Sequence, residues 1–177
     1  GGQGAQTAGN LLAMAFFAQG KQVQCFASYG GARRGTPVSS YLRVDDRPVR
    51  VRCDIERADA ILCFDASLLG GALLATATPE TVIVVNSARS ATELARTLPG
   101  LRLVPVDGLA LSRRHGLGRI VNSALLGAFA RAVGAPGLPV LQATLQQRSP
   151  KLQDANVAAC EEGWRCADLQ LRAEAAS

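Results

Sequence analysis

Short apolar segments alternate with helix-forming segments through the middle of this chain. Residues 60–64, 81–85 and 101–106 are compact apolar runs, and the second is rich in β-branched residues. Helix-forming stretches follow the first two runs, at 66–75 and 91–98. Strands that alternate with helices pair in parallel, because each helix returns the chain to the same end of the sheet. The alternation predicts an α/β fold, a Rossmann-like three-layer module with a mostly parallel sheet.

The segments on either side of this alternation have their own patterns. Residues 5–19 carry apolar side chains at helical spacing and predict a first helix, and 22–27 predicts a strand. Two extended segments, 38–44 and 48–52, flank a pair of aspartates and predict a hairpin insertion. With 177 residues, 48% of them hydrophobic, the chain is long enough to fold as a single domain over its whole length, 1–177. Its C-terminal third is predicted to be helix-rich, with helices over 120–133, 139–147 and 152–162.

The cysteines give no sign of a disulfide framework or a metal site. The five of them include no C-x-x-C pair and no pairing with histidine at metal-ligand spacing. Iron–sulfur clusters need several thiolates close together, so we do not expect this chain to hold one by itself. Three of the cysteines lie in apolar runs, where a free thiol behaves as a small hydrophobe. These features predict reduced thiols in a cytoplasmic protein.

Neither a membrane nor a nucleic acid is predicted as a partner. No apolar run approaches the roughly 20 residues that span a bilayer, and the first residues lack the layout of a signal peptide. The net charge is +5, from 19 Lys and Arg against 14 Asp and Glu. The basic residues are scattered and aromatic residues make up 5% of the chain, which does not match a nucleic-acid-binding motif. This charge suits a phosphate-bearing small ligand or an acidic protein surface.

The chain opens with a glycine turn, Gly1-Gly2-Gln3-Gly4, directly before the first predicted helix. Glycines let the backbone approach a ligand closely, and the free N–H groups of a first helical turn form an anion site that the helix dipole reinforces. A phosphate or pyrophosphate suits such a site. A tight strand-to-helix turn with no ligand is the alternative, and the spacing alone does not separate the two. Because such a turn normally follows a strand, we expect a first strand upstream of residue 1.

A dinucleotide-binding fold would place an acidic residue roughly 20 positions further on, at the end of the next strand, to hold the ribose hydroxyls. Here that strand ends at Ala27-Ser28-Tyr29, without Asp or Glu. NAD is therefore disfavoured. Arg33 and Arg34 can meet the ribose phosphate of NADP, but coenzyme A carries a ribose phosphate as well, and the two arginines do not separate these ligands.

Those arginines lie in a glycine-containing segment, residues 29–38, which we call the arginine loop. Adjacent arginines beside glycines offer rigid, forked donors on a backbone that can bend around an anion. A solvated loop whose arginines pair with acidic groups on a neighbouring surface is the alternative, and composition alone favours it. The resemblance described below reverses that preference.

The remaining polar candidates fit structural roles at least as well as chemical ones. His115 is the single histidine, and no Ser or Cys with a partner carboxylate points to a triad, so we predict no catalytic residue and no metal ligand. Asn86 and Asn122, each at the edge of an apolar element, can cap backbone groups or contact a ligand. Turns and caps are also predicted for the aspartates at element boundaries, Asp54, Asp59 and Asp65.

Several segments together resemble a known family. The glycine turn before its helix and residues 31–44, which read Gly-Ala-Arg-Arg-Gly-Thr-Pro-Val-Ser-Ser-Tyr-Leu-Arg-Val, are similar to the gamma subunit of pyruvate:ferredoxin oxidoreductase and its 2-oxoacid relatives. Residues 122–130 and 151–159 resemble the tail of the same subunit. The order and spacing of these segments extend the resemblance almost from end to end.

The resemblance implies a multi-subunit enzyme that decarboxylates a 2-oxoacid on thiamine diphosphate and transfers the acyl group to coenzyme A. Electrons pass through iron–sulfur clusters to ferredoxin or, via another subunit, to NAD. The implied partners are thiamine-binding alpha and beta subunits and an iron–sulfur delta subunit, which hold the thiamine diphosphate with Mg and the clusters. Pyruvate is the default substrate, and phenylglyoxylate and branched-chain 2-oxoacids remain open.

For the gamma chain itself, the resemblance implies a module beside the thiamine site that contacts coenzyme A and carries no redox centre. A purely structural assembly subunit is the first alternative, and a free-standing NADP-binding reductase is the second. The coenzyme A contacts that we predict in this chain are Gly2, Gln3, Gly4, Gln6, Arg33, Arg34, Gly35, Thr36, Asn86 and Asn122.

Overall fold

The computed structural model describes residues 2–29, 37–51 and 53–176. Its helices are α1 (Ala5–Ala18), α2 (Gly71–Leu74), α3 (Ala91–Thr97), α4 (Gly108–Arg114), α5 (Asn122–Val133), α6 (Leu138–Arg148) and α7 (Gln153–Ala175). Its strands are β1 (Gln22–Tyr29), β2 (Val38–Asp45), β3 (Ala58–Cys63), β4 (Ala77–Asn86) and β5 (Arg102–Val106), and a short 3-10 turn covers Ala66–Leu68.

Strands β3, β4 and β5 form a parallel sheet with β4 in the middle. Val84 of β4 pairs with Leu62 of β3 on one side and with Val104 of β5 on the other. Ile83, Val84 and Val85 are fully buried, as expected for a parallel strand that is covered on both faces. The α/β fold with a parallel sheet, which the alternation of segments predicted, is confirmed.

Helices cover both faces of this sheet, and successive apolar side chains of β4 pack into cores on opposite faces. Val82 and Val84 belong to a larger core that also contains residues of α1, α5, α6 and α7. Ile83 and Val85 belong to a smaller core with Leu94 of α3. Successive side chains of a strand point to opposite faces, so an apolar run of this kind has to be covered twice.

Strands β1 and β2 form the antiparallel hairpin, with all eight residues of each strand in register. The prediction that 38–44 pairs with 48–52 is wrong, because the described part of the second segment forms no strand. The partner is β1, whose Phe26 stacks on Tyr41 of β2 with the ring centroids 5.1 Å apart. Pro48 has no N–H to donate to a strand partner, which disfavours the predicted pairing.

Two predicted helices differ in extent from the observed ones. The helix predicted over 66–75 is divided into the 3-10 turn and α2, because Gly71 takes a positive φ of 46° that a continuous right-handed helix excludes. The helix predicted over 152–162 continues to the end of α7, because Gly163 does not terminate it. A Cβ on Gly163 would collide with the carbonyl of Ala124 in α5, so this glycine allows α5 and α7 to pack closely.

The other predicted helices of the C-terminal third correspond to α5 and α6, and the helix-rich character of this part is confirmed. Helix α4, which follows β5, was not predicted from the sequence. Among the described residues, no helix combines the length and the apolar composition that crossing a bilayer requires.

Candidate functional site

The carboxyl edge of the parallel sheet brings together the starts of α1 and α5. Gly4 is the last residue before α1, and Asn122 is the first residue of α5. The Asn122 carboxamide lies so close to Gly4 that a Cβ on Gly4 would overlap it. Gly4 also has a φ of 94°, which glycine adopts without strain. Ligands of open α/β sheets bind in the crevice at this edge.

Neither of these two helix starts is capped by a side chain in the part of the chain that the structure describes. By contrast, the Ser90 hydroxyl accepts from the Glu93 N–H at the start of α3, and the Asp107 carboxylate accepts from the Ala110 N–H at the start of α4. The first turns of α1 and α5 contain no acidic residue. Their N–H groups and positive dipole ends are therefore available to an anion.

Three further helices start without a side-chain cap: α2, which is a single turn of four residues, and α6 and α7, which have a different first turn. Pro139 near the start of α6 leaves that helix with one N–H fewer to offer. Asp154 places a negative charge in the first turn of α7. These differences favour α1 and α5 as the place where the fold would accept a negatively charged ligand.

Gln3, a predicted contact, is held by a carboxylate that follows β3. Its Nε2 donates to Asp65 Oδ2 at 3.3 Å. Asp65 also accepts from the Ser67 hydroxyl at 2.7 Å and from the Ser67 N–H at 3.0 Å, and in this way it caps the 3-10 turn as predicted. Three hydrogen bonds lower the pKa of Asp65. The Ser67 hydroxyl has the largest effect, the Ser67 N–H the next, and Gln3 the smallest of the three. The lowered pKa keeps this carboxylate ionised at neutral pH.

Gln6, another predicted contact, joins the first turn of α1 to the end of β1. The Tyr29 hydroxyl donates to Gln6 Oε1 at 2.9 Å. Tyr29 is the first residue of the arginine loop and the last one described before residue 37, and its side chain is largely exposed. The predicted contacts Arg33, Arg34, Gly35 and Thr36 lie outside the described residues. The sequence predicts a loop at Tyr29, and its bond to Gln6 associates it with the glycine turn.

The two asparagines of the predicted site differ in their bonding. Asn86 donates from Nδ2 to the carbonyl of Phe64 at 3.1 Å and accepts at Oδ1 from the N–H of Gly108 at 3.0 Å. It ties together the ends of β3 and β4 and the start of α4, which is the capping role that the sequence left open. The Asn122 carboxamide, by contrast, makes no hydrogen bond with any described residue and is free to donate to a ligand.

A cleft of about 2530 Å³ extends from the glycine turn between β2 and β3. Gly2, Gln3 and Gly4 line one part of it, together with Gln6 and Tyr29. No pattern in the sequence indicated this cleft, because it depends on how the hairpin is placed beside the parallel sheet. Its position connects the predicted coenzyme A contacts near α1 with a much larger concave surface.

The side chains of His115, Cys63 and Cys160 contribute to the packing of the fold. His115 Nε2 lies 2.6 Å from one carboxylate oxygen of Glu162, and Arg114 lies 2.7 Å from the other, which joins α4 to α7. Burial raises the pKa of the Cys63 thiol and raises the pKa of Cys160 to about 12, so both stay protonated at neutral pH. Within the described ranges, no group of three His, Cys, Asp or Glu side chains is placed to hold a metal.

A parallel sheet covered on both faces, with a glycine turn that leads into a helix at its carboxyl edge, defines a Rossmann-like α/β protein. The family model described as pyruvate ferredoxin/flavodoxin oxidoreductase matches residues 1–166, and the chain belongs to this family. The pyruvate/ketoisovalerate oxidoreductases common subunit gamma of Thermococcus kodakarensis is 39% identical over 170 residues, which cover 93% of this chain and 91% of that subunit. The resemblance to the gamma subunits is confirmed.

Solved structures share the fold. The crystal structure of pyruvate oxidoreductase subunit PORC from Thermotoga maritima has a TM-score of 0.80 at 28% identity, and the match covers 93% of this chain and 90% of that one. A 2-oxoglutarate:ferredoxin oxidoreductase from Magnetococcus marinus, solved with 2-oxoglutarate, coenzyme A and succinyl-CoA bound, has a TM-score of 0.72. That match covers 96% of this chain and 30% of the other, and at 18% identity it shows the fold alone.

Proposed function

We propose that this chain is the coenzyme-A-binding gamma subunit of an enzyme that oxidises a 2-oxoacid to its acyl-CoA with release of carbon dioxide. The family supports the subunit role. The observation that carries the binding role is the meeting of two uncapped helix starts, α1 and α5, at Gly4 and Asn122. Two helix starts that no described side chain caps, with their two positive dipole ends at one place, suit the phosphates of coenzyme A.

The described residues at this edge fit a phosphate-bearing ligand. Gly2 and Gly4 both have positive φ, and without a Cβ they leave the backbone N–H groups accessible. The Asn122 carboxamide, which bonds to none of the described residues, adds a donor directly beside Gly4. Gln3 is oriented by its bond to Asp65, which keeps the turn in place.

The arginine loop supplies the positive charge in this proposal. Arg33 and Arg34 follow closely after Tyr29 in the sequence, and Tyr29 is bonded to Gln6 in the first turn of α1. Forked guanidinium donors bind phosphate oxygens two at a time and offset their charge. Gly35 and Thr36, next in the sequence, complete the set of contacts that the family resemblance implies.

In this enzyme, coenzyme A supplies the thiol that takes up the acyl group. The residues of this chain bind and orient the coenzyme, and the proposal assigns no proton transfer or electron transfer to them. Thiamine diphosphate with Mg is assigned to the alpha and beta subunits, and the iron–sulfur clusters to a delta subunit. Pyruvate is the proposed substrate and ferredoxin the proposed acceptor, in keeping with the names of the family and its relatives.

Purification of the tagged chain from its native host under anaerobic conditions tests the subunit role. Mass spectrometry should identify thiamine-binding and iron–sulfur-binding subunits in the same preparation. The complex should oxidise pyruvate in a reaction that depends on coenzyme A, with branched-chain 2-oxoacids and phenylglyoxylate as comparison substrates. A partnerless chain that binds NADP would contradict the proposal.

An assembly role without coenzyme A contact is separated from the proposal by one variant. Arg34→Ala in the assembled enzyme should raise the KM for coenzyme A while the subunits stay together. A purely structural subunit predicts the reverse, namely a complex that dissociates more readily while its remaining activity keeps the original KM for coenzyme A.

A further inference from the structure

A buried asparagine joins the start of α5 to the turn before α7. Asn156 is 6% exposed, and its Oδ1 accepts from the hydroxyl of Ser123, the second residue of α5, at 2.6 Å. Its Nδ2 donates to the carbonyl of Lys151 at 3.1 Å and to that of Leu152 at 2.8 Å. Both residues belong to the segment between α6 and α7, residues 149–152, which we call the α6–α7 turn. The loss of these bonds would leave buried polar atoms unpaired, so Asn156 fixes this turn relative to α5.

The α6–α7 turn lies at the end of the helices where α5 begins. Ser123 meets Asn156 near the two helix starts, and one turn further along each helix Gly127 lies against the carbonyl of Cys160. Helices α5 and α7 therefore run in the same direction. Helix α6 packs against α1, α5 and α7, so the chain returns along α6 and crosses to α7 beside the first turn of α5, which carries Asn122.

The backbone of this turn takes an unusual conformation. Leu152 has a φ of 53° and is the only residue other than glycine with a positive φ in the part of the chain that the structure describes. Gln153 Nε2 donates to the carbonyl of Ser149 at 3.1 Å, and together with Asn156 it holds the turn in this conformation. Backbone strain of this kind persists where the surrounding structure imposes it, and it is frequent at sites that bind ligands. The turn is thus preorganised by the residues around it.

Lys151 places a positive charge on this turn. Its side chain is exposed and forms no ion pair with any of the described residues. The only other lysine of the chain, Lys21, pairs with Asp46. Asp154, the acidic residue in the first turn of α7, accepts from Gln146 of α6 instead. The Lys151 ammonium is therefore available to an anionic ligand.

We propose that Lys151 binds a phosphate of the ligand at the paired starts of α1 and α5, and that Asn156 is the positioning residue that places it there. This inference rests on the proposed coenzyme A site and adds a cation to it from a third part of the chain. A lysine ammonium on its flexible four-carbon stem binds phosphate as a point charge. Asn156 is buried and acts only through the groups that it bonds.

Lys151→Met in the assembled enzyme tests the binding role. The substitution removes the charge from an exposed side chain and keeps an apolar stem. The KM for coenzyme A should rise about tenfold, as expected from the loss of one hydrogen bond to a charged group, with kcat and the KM for the 2-oxoacid unchanged. Lys151→Arg should keep most of the wild-type affinity. Arg102→Met, at the amino end of β5 and so at the opposite edge of the sheet, is the control and should leave all three constants unchanged.

Dephospho-coenzyme A, which lacks the ribose phosphate, identifies the phosphate that Lys151 contacts. If Lys151→Met raises the KM for coenzyme A and for the dephospho form, the contact is with the pyrophosphate. If only the KM for coenzyme A rises, the contact is with the ribose phosphate. Both results support the binding role.

Asn156→Ala tests the positioning role. It should raise the KM for coenzyme A in the wild-type background and clearly less in the Lys151→Met background, because the ammonium that it positions is then absent. Ser123→Ala, which frees one end of Asn156, should show the same dependence and serves if Asn156→Ala does not fold. A residue that only stabilises the fold would change the KM equally in both backgrounds or in neither, and either result would overturn the positioning role.

An unchanged KM for coenzyme A in Lys151→Met would overturn the binding role. A complex that dissociates more readily while this KM stays the same would overturn it as well, because Lys151 would then contact a partner subunit. Asn122→Asp separates this failure from that of the proposed function. If Asn122→Asp raises the KM and Lys151→Met does not, only the role of Lys151 is refuted, and if neither raises it, the proposed coenzyme A site is refuted too.

Discussion

The carboxamide of Asn122 lies directly against Gly4, so that the first residue of α5 touches the last residue before α1. This contact brings two helix starts together at the carboxyl edge of the sheet. Position 4 requires glycine for two reasons. Its φ is 94°, and a Cβ there would overlap the Asn122 side chain. The proposed coenzyme A site depends on this arrangement.

Gly4→Ala should destabilise the isolated subunit by about 3 kcal/mol, because it adds a strained backbone conformation to a collision with Asn122. The free energy of unfolding in urea measures the effect. Gly20→Ala is the matched control, since Gly20 also has a positive φ, of 80°, but has open space around its Cβ position. This control should cost only about 1 kcal/mol, the backbone part alone.

The double variant Gly4→Ala with Asn122→Gly separates the two causes. Removal of the Asn122 side chain should bring the added cost of Gly4→Ala down to that of Gly20→Ala. Equal costs for Gly4→Ala and Gly20→Ala in the otherwise unchanged chain would show that the contact between Gly4 and Asn122 has no energetic consequence.

Gly163→Ala should destabilise the subunit, although alanine in a helix interior is ordinarily favoured by about 1 kcal/mol over glycine. The reason is that a Cβ at Gly163 meets a backbone carbonyl of Ala124, which has no side-chain rotamer to change. Gly9→Ala in α1 is the comparison, because its Cβ meets the hydroxyl of Ser40, a side chain that can rotate. Thermal unfolding should show the larger loss for Gly163→Ala, and a gain in stability would contradict the close packing of α5 and α7.

Asp65 should stabilise the folded chain at neutral pH but not in acid. Its pKa is lowered in the folded state, first by the Ser67 hydroxyl, so its contribution is present above the ordinary carboxyl pKa and is lost as the pH falls through the lowered one. Urea unfolding at pH 7 and pH 3 should therefore show wild type more stable than Asp65→Asn at pH 7, with a smaller difference at pH 3. Ser67→Ala should shrink the difference at pH 7, and a difference that does not depend on pH would refute this role.

Cys160 should resist alkylation in the folded subunit, because burial raises its pKa to about 12 and shields the sulfur. Cys53, which is exposed, should react with iodoacetamide at pH 8 in the same sample. Mass spectrometry of the alkylated peptides measures both. Cys160 should become reactive only when the protein is unfolded in guanidinium chloride, and rapid modification in the native state would contradict its place in the core.

Local patterns predicted the elements whose boundaries are set by their own residues. The β-branched run at 81–85 became the buried centre of β4, and the helical spacing over 5–19 became α1. The wrong predictions concern long-range packing. β2 pairs with β1, where Phe26 stacks on Tyr41, and α7 continues through Gly163, which packs closely against α5.

The same division applies to the candidate site. The sequence indicated the glycine turn and named Asn122 as a residue that caps or binds, because both stand at the edges of predicted elements. It did not indicate that Asn122 lies against Gly4, or that Asp65 holds Gln3. These pairs are far apart in the chain, and only the packing of α5 and β3 around α1 brings them together.

Asn122→Asp in the assembled enzyme tests coenzyme A binding most directly. The substitution keeps the size of the side chain and suits a helix start, so the fold should tolerate it, but it puts a negative charge where phosphates are proposed to bind. The KM for coenzyme A should rise about tenfold, a free-energy change of about 1.4 kcal/mol, with kcat and the KM for the 2-oxoacid unchanged. Gln147→Glu, the same charge change at an exposed position of α6, should leave all three constants as they are. An unchanged KM for coenzyme A in Asn122→Asp would contradict the proposal that the paired helix starts bind this ligand.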